Sequence, residues 1–392
     1  MSRHLFCMSV FVVLAGCSTV LPFPSDRCIY VCPSCDEGSA GRQDALQTQL
    51  DGAAAGCRYF RFVPGEYLLS DASGIRIPTG ATVDMTGARF ILDKSLDEDG
   101  QAFTIHKARD IHLKRGEIIG NRAFWDPGVN IAGVRITGNS SNIRIEGLVC
   151  RDVSSNAVGV FGEGPEAEIS AVVVSNVIAS NCCNIYVDYL QANKGPAPGS
   201  DRRDQGTVAF YYVNGWSVES CDFRASQSDG THFFQCRNGR FVNNTVSGST
   251  MGGYFLEGCE RILASCNLIE DNGSRGVTIE RDSRDCTFSD NIVCDSGREG
   301  LWMPDVSGIV ITGNQFIENG RKDDGERDSE IRLDDGAEYP TVTQGILIKN
   351  NIFRTRDHQT AAILLGPGIT GIDAGWNHFQ GPAIAVGSSR SQ

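Results

Sequence analysis

Every 23 or 24 residues through the middle of the chain an asparagine returns, with a large apolar residue two places after it. The asparagines are Asn176, Asn244, Asn267, Asn291 and Asn314, with Asn351 and Asn377 after longer gaps. Their apolar companions are Ile178, Val246, Ile269, Val293, Phe316, Phe353 and Phe379. Seven places past Phe223, Val246, Ile269 and Val293 stand Gly230, Gly253, Gly276 and Gly300, each opening a short alternating segment such as Val277-Thr278-Ile279-Glu280. Self-similarity at a fixed period of this length marks a solenoid. Short alternating segments between Asn, Gly and Ser turns, with no helical period, make its units strands. The expected fold is therefore all-β: a single parallel β-helix in which each turn is a rung that buries its inward side chains against its neighbours.

A solenoid grows along one axis, so 392 residues are compatible with one such domain. With 41% hydrophobic and 21% charged residues the chain is expected to fold, and its 45 glycines suit many tight corners. The net charge of −13 argues against nucleic acid as a partner. At the N-terminus Arg3 and His4 precede an apolar stretch from Leu5 to Ala15, followed by Leu14-Ala15-Gly16-Cys17. This resembles a bacterial lipoprotein signal in which Cys17 is the lipidated residue, the alternative being an ordinary secretory signal peptide. Either reading exports the protein, to the cell envelope, the periplasm or beyond. The lipoprotein reading gives it a membrane partner through an N-terminal lipid anchor at the outer membrane. The divisions expected are a signal peptide over 1–17, a Cys-containing tether over 18–40 and the β-helix over 41–392.

Fifteen cysteines are present. Cys28, Cys32 and Cys35 form a C-x3-C-x2-C cluster without a clear fourth ligand, so disulfide or free thiol is expected rather than metal. Cys236 and Cys259 lie one period apart, placed to stack as small apolar fillers. Residues 43–55 are expected to form a short helix, with Leu46 and Leu50 on one face, that caps the open first rung. Two stretches, 190–205 and 320–340, break the period and read as insertions that wall a groove or loop over the surface.

Stacking turns period into adjacency, because residues of one column lie about 4.8 Å apart along the axis. In the strands after the glycine column, the second positions are His232, Phe255, Thr278 and Trp302, and the fourth positions are Phe234, Glu257, Glu280 and Pro304. Asp229, Gly252, Arg275 and Glu299 stand just before the glycines, and Tyr186 and Asp188 are offered to the same face by an earlier strand. These positions are expected to face outward as an exposed wall suited to sugars. Glu257 and Glu280 are expected to be direct neighbours, close enough to raise at least one pKa, unless Arg275 and Arg281 neutralise both. His232 has the intrinsic pKa of a general base, with Asp229 or Glu257 to orient it. Arg275 suits a substrate carboxylate, and Phe255 and Trp302 suit the faces of sugar rings.

The rung grammar, with a helix before Phe60-Arg61-Phe62-Val63-Pro64-Gly65-Glu66-Tyr67, resembles the pectate-lyase-like right-handed parallel β-helix superfamily. The rhythm of residues 226–303 is most similar to mannuronan C5-epimerases, whose Asp-Pro-His signature precedes an acidic residue one rung later. Here Asp229-Gly230-Thr231-His232 lacks the Pro, and Glu257 follows the His by 25 residues. The resemblance implies a lyase or C5-epimerase acting on a uronate-containing polysaccharide, with His232, Glu257, Arg275 and Glu280 as catalytic candidates. Tyr186, Asp188, Asp229, Phe255, Arg281 and Trp302 are then the substrate-binding candidates. A glycoside hydrolase using Glu257 and Glu280, and a non-catalytic glycan-binding surface protein, are the alternatives. No cofactor or metal is expected; trimers occur among the tailspikes that share this grammar.

Overall fold

The computed structural model describes residues 28–31, 42–54, 58–126, 128–184, 205–323, 329–336 and 341–388. Among these, the strands form three parallel sheets of thirteen, twelve and twelve. One rung takes one strand from each sheet in turn. Arg237–Val242 lies in sheet one, Thr245–Ser247 in sheet two and Tyr254–Glu257 in sheet three. Each strand pairs in parallel with its counterparts one rung before and after, so the coil has a single continuous register. Inward residues of all three sheets meet in one core, with Phe233, Phe241, Tyr254, Phe288 and Phe316 among its largest side chains.

Asparagine and glycine recur for two separate reasons. The asparagines form a buried ladder at the corner between sheets one and two. Asn291 Oδ1 accepts the backbone N–H of Asn267 at 2.9 Å and its side-chain Nδ2 at 2.8 Å, while Asn291 Nδ2 donates to Ala264 O at 3.1 Å and Asn314 Oδ1 at 3.0 Å. The same pattern runs from Asn244 to Asn377. It satisfies corner groups that neither sheet pairs. The glycine column answers to space. A Cβ on Gly253 would stand 2.6 Å from Gly276 O and 2.7 Å from Asn272 Nδ2, so no side chain fits.

Asn176 departs from the expected column. The ladder ends on Cys221, whose N–H donates to Asn244 Oδ1, and Asn176 sits one place out of phase, in an exposed left-handed turn with φ 53°. Its companion Ile178 consequently points outward, 51% exposed, and Ala179 fills the inward place beside Phe223.

The helix Arg42–Ala54 packs against the strands Cys28–Val31, Gly65–Leu69 and Ile75–Arg76. Leu46 and Leu50 are buried as expected. Within the stretch read as a tether, Cys28–Val31 is a strand paired in parallel with Tyr59–Phe62. The charged stretch 320–340 also contains a rung strand, Ile331–Asp334, which continues sheet three between Leu301–Pro304 and Ala361–Leu365. Most of 190–205, and Cys17, Tyr186 and Asp188, lie outside the described residues.

Candidate functional site

The expected wall is the outer face of sheet three. Register places Ala209 beside His232, and Phe255, Thr278 and Trp302 in consecutive rungs beyond. It also pairs Phe234 with Glu257 and Glu257 with Glu280. The intervening residues Phe233, Leu256, Ile279 and Met303 belong to the core, so the two columns face away from it.

Outward does not mean exposed here. His232 is 0% exposed, Asp229 3%, Glu257 5% and Glu280 6%. The open sheet expected from the sequence is instead a packed outer layer. Phe161, Ala209 and Tyr211 form a hydrophobic cluster of their own outside the coil, with Tyr212 and Phe234 against it. Phe255, Trp302, Arg275 and Arg281 keep partial access to solvent.

His232 is held on three sides. Its ring stacks on Phe255 with centroids 4.6 Å apart and planes 4° from parallel. Nε2 lies 3.2 Å from Glu257 Oε2, and Nδ1 lies 3.3 Å from Tyr211 Oη. Glu257 therefore orients the imidazole, while Asp229 Oδ1 accepts the Gly252 N–H at 2.8 Å. Arg281 follows Glu280 in a left-handed conformation, φ 54°. Its Nη1 lies 2.5 Å from Glu257 Oε1 and its Nε 3.2 Å from Glu280 Oε1.

For Glu257 this arrangement favours the second expectation, neutralisation, over repulsion between stacked carboxylates. Burial alone would raise the Glu257 pKa. The His232 hydrogen bond and charge, together with Arg281, outweigh it and hold the carboxyl at about 2. Glu257 is thus a fixed carboxylate and no proton donor near neutral pH, because a cation lies between the like charges. A carboxylate only accepts, so it places the proton of a neutral His232 on Nε2. Nδ1 is then free to accept from the Tyr211 hydroxyl.

Arg275 belongs to a second group on the same wall. Its Nε lies 3.2 Å from Glu299 Oε2, and its Cζ lies 3.9 Å from the centre of the Trp302 ring. Trp302 Nε1 donates to Asp334 Oδ2 at 2.8 Å, and Arg332 Nε to the same oxygen at 2.7 Å. Burial raises the Glu299 carboxyl above its ordinary range, against the opposing effect of Arg275. Arg275 so pairs with Glu299, and Arg281 bridges Glu257 and Glu280. Among the described residues, no three His, Cys, Asp or Glu side chains converge as a metal site would need.

Tyr211, Arg332 and Asp334 escaped the sequence reading for two reasons. Arg332 and Asp334 pair with Trp302 and Pro304 across a break in the period, so counting by 23 or 24 does not reach them, whereas Tyr211 keeps the period but lies one rung before the first counted strand. Extending the column to the strand Val208–Tyr211, the last before Thr231–Phe234, would have found Tyr211.

Comparison with known proteins supports the architecture. Residues 206–368 match a family model described as right handed beta helix region. No curated protein matches the chain. Among solved structures, the A-module of mannuronan C-5 epimerase AlgE4 from Azotobacter vinelandii superposes with a TM-score of 0.68 at 16% identity, over 90% of this chain and 96% of that one. PfbA, a surface adhesin of Streptococcus pneumoniae, gives 0.65 at 15% identity, over 90% of each chain. The tailspike protein of E. coli bacteriophage HK620, solved with a pentasaccharide, gives 0.63 at 16% identity, over 87% of this chain and 63% of that one. Register, family model and neighbouring structures together make this chain a right-handed parallel β-helix, and at the level of fold they bear out the superfamily its rungs resemble.

Proposed function

We propose that the protein is exported and acts on a uronate-containing polysaccharide lying along the outer wall of sheet three, as a lyase or C5-epimerase. The observation that carries this reading is the chain of contacts Tyr211–His232–Glu257–Arg281 on one wall. His232 is sealed from solvent, so it acts through Tyr211, which is 7% exposed. The Tyr211 hydroxyl gives its proton to Nδ1, and the phenolate oxygen takes the proton next to the sugar carboxylate. Glu257 remains charged throughout and steadies the imidazolium that forms. Arg281 and Arg275, both on the wall with partial access, suit the sugar carboxylate and the enolate-like charge that develops on it. Water that gives a proton to the opposite face, its hydroxide then taking the imidazolium proton, yields the epimer; expulsion of the neighbouring glycosidic oxygen, which takes the Tyr211 proton while the imidazolium reprotonates the phenolate, yields an unsaturated uronate and a broken chain. Two neighbouring structures, an epimerase of mannuronan and a tailspike holding a pentasaccharide, agree with a glycan as ligand. The proposal includes the division into signal peptide 1–17, tether 18–40 and β-helix 41–392, with Cys17 as the lipidated residue.

One observation favours a second reading: the flat stacking of His232 on Phe255 with no exposure makes the imidazole a pillar of a glycan-binding wall without turnover. Incubation with alginate, pectin and neutral glycans separates the two. The enzymatic reading expects either the ultraviolet absorbance of unsaturated uronates or solvent deuterium entering an intact polymer. Tyr211→Phe should lower that rate at least about 100-fold. Binding without either signal would establish the second reading.

A further inference from the structure

We propose that Arg275 is the residue that selects an acidic sugar on the sheet-three wall, and that Glu299 positions it. The inference deepens the reading of that wall as a glycan site and rests on it. Arg275 lies just before the strand Val277–Glu280 and Arg281 just after it. Arg281 is engaged by two carboxylates, at Nη1 by Glu257 and at Nε by Glu280. Arg275 is engaged by one carboxylate, and only at Nε, by Glu299 at 3.2 Å. Its two terminal nitrogens have no ion-pair or hydrogen-bond partner among the described residues, and its side chain is 19% exposed.

The guanidinium is fixed on two sides before any ligand arrives. Gly276 N–H donates to Glu299 O at 3.0 Å and Val277 pairs with Leu301, so Glu299 stands one rung beyond Arg275. The same register sets Trp302 beside Thr278, and Arg275 Cζ lies 3.9 Å from the centre of the indole. That ring is held in turn by Asp334, which also anchors Arg332. An arginine pinned at Nε and stacked on one face still offers the edge formed by its two terminal nitrogens, which matches the two oxygens of a carboxylate. Glu299 is 1% exposed, so it acts through Arg275. Its Oε1 is buried with no hydrogen-bond partner among the described residues, and its one ion pair there is with Arg275. A buried carboxyl left half-satisfied costs stability, which the core gives no reason to bear. Holding the arginine in place reduces the freedom it loses on binding.

The test uses the full chain and calorimetric binding of galacturonate and mannuronate trisaccharides, each against its methyl ester, which removes the charge and little else. The wild type should bind at least one acid about tenfold or more tightly than its ester, as a charge-assisted contact predicts. Arg275→Gln should bring that ratio to about one by weakening the acid and not the ester. Glu299→Gln keeps the reach to Arg275 Nε and drops the charge; Glu299→Asp keeps the charge and withdraws the contact. Positioning expects the ratio to survive in Glu299→Gln and to fall in Glu299→Asp, with thermal unfolding recorded for each variant. Binding of neither acid, an unaltered ratio in Arg275→Gln, or loss in Glu299→Gln with retention in Glu299→Asp would overturn the proposal. Acid preference carried by Arg275 in a protein that never turns a uronate over would sink the enzymatic reading and leave this one. Turnover with the preference unmoved in Arg275→Gln would do the reverse.

Discussion

Two buried carboxyls, Glu257 and Glu330, show how far neighbours decide the charge of one residue. Glu257 keeps its charge because His232 and Arg281 face it. Its folded pKa of about 2 lies below the ordinary 4.5, so its stabilisation is complete above pH about 4.5 and is lost as pH falls towards about 2. Glu330 is opposite in sign. Fully buried, it accepts the N–H of Asn319 at 3.1 Å and Asn319 Nδ2 at 2.6 Å. Burial pushes it up to about 7, against the lowering effects of Asn319, Gln359 and Arg356. A raised carboxyl binds protons better folded than unfolded, so stability falls as pH rises from about 4.5 to about 7. Glu330→Gln, which keeps the shape without the charge, should remove that fall, at most about 3 kcal/mol, as read by urea midpoints across this range. Glu257→Gln should do the reverse, losing stability at pH 7 and little at pH 2, because it leaves Arg281 and His232 short of their anion. The Glu330 environment was not legible in the sequence; for Glu257 the sequence named His232 and Arg281 without choosing between repulsion and neutralisation. The pairing of Glu257 with Glu280 followed from counting, but the insertion of Arg281 between them depends on a left-handed turn that counting does not reveal.

At the scale of the element, the corner is the unit that sets the phase of each strand. The Asn291 side chain makes four hydrogen bonds inside the ladder, and the residue is 1% exposed. Asn291→Ala strands the buried donors of Asn267 and the carbonyl of Ala264, and should cost about 3 kcal/mol by denaturant unfolding. Asn350→Ala, on the neighbouring exposed corner position, should cost less, about 1 kcal/mol, because only its left-handed backbone, φ 55°, disfavours alanine. The strands after Gly230, Gly253, Gly276 and Gly300 were readable because both glycine and asparagine there answer to fixed geometry. Asn176 misled because an exposed left-handed turn selects asparagine for a different reason. Ile331–Asp334 was hidden because its two inward residues, Ile331 and Leu333, stand within a run of charged residues that breaks the period.

For the whole molecule, one cap and one core decide cooperativity. Leu46 and Leu50, 2% and 0% exposed, seal the first rungs beneath the helix. Leu50→Asp puts an unpaired charge in that contact and should cost about 3 kcal/mol or more, with proteolysis beginning at the N-terminal rungs before the middle ones are cut. Uniform loss of all rungs at once would show that the coil unfolds as a single unit. The course of the coil was legible in the sequence over residues 206–320, where the period is unbroken. The packed layer outside sheet three was not, because it arises from aromatic residues on different rungs meeting across the stack, as Phe161 meets Tyr211 and Tyr211 meets Phe234.

The asparagine seam has a direction: each amide receives from the rung before and gives to the rung after. Copying one complete turn in tandem preserves that head-to-tail order and adds a new storey with its bonds already matched. Adding a single residue inside the seam breaks the order on both sides. Growth of such a molecule by whole turns is therefore easy, while novelty within a turn is confined to the bends, where the seam does not pass.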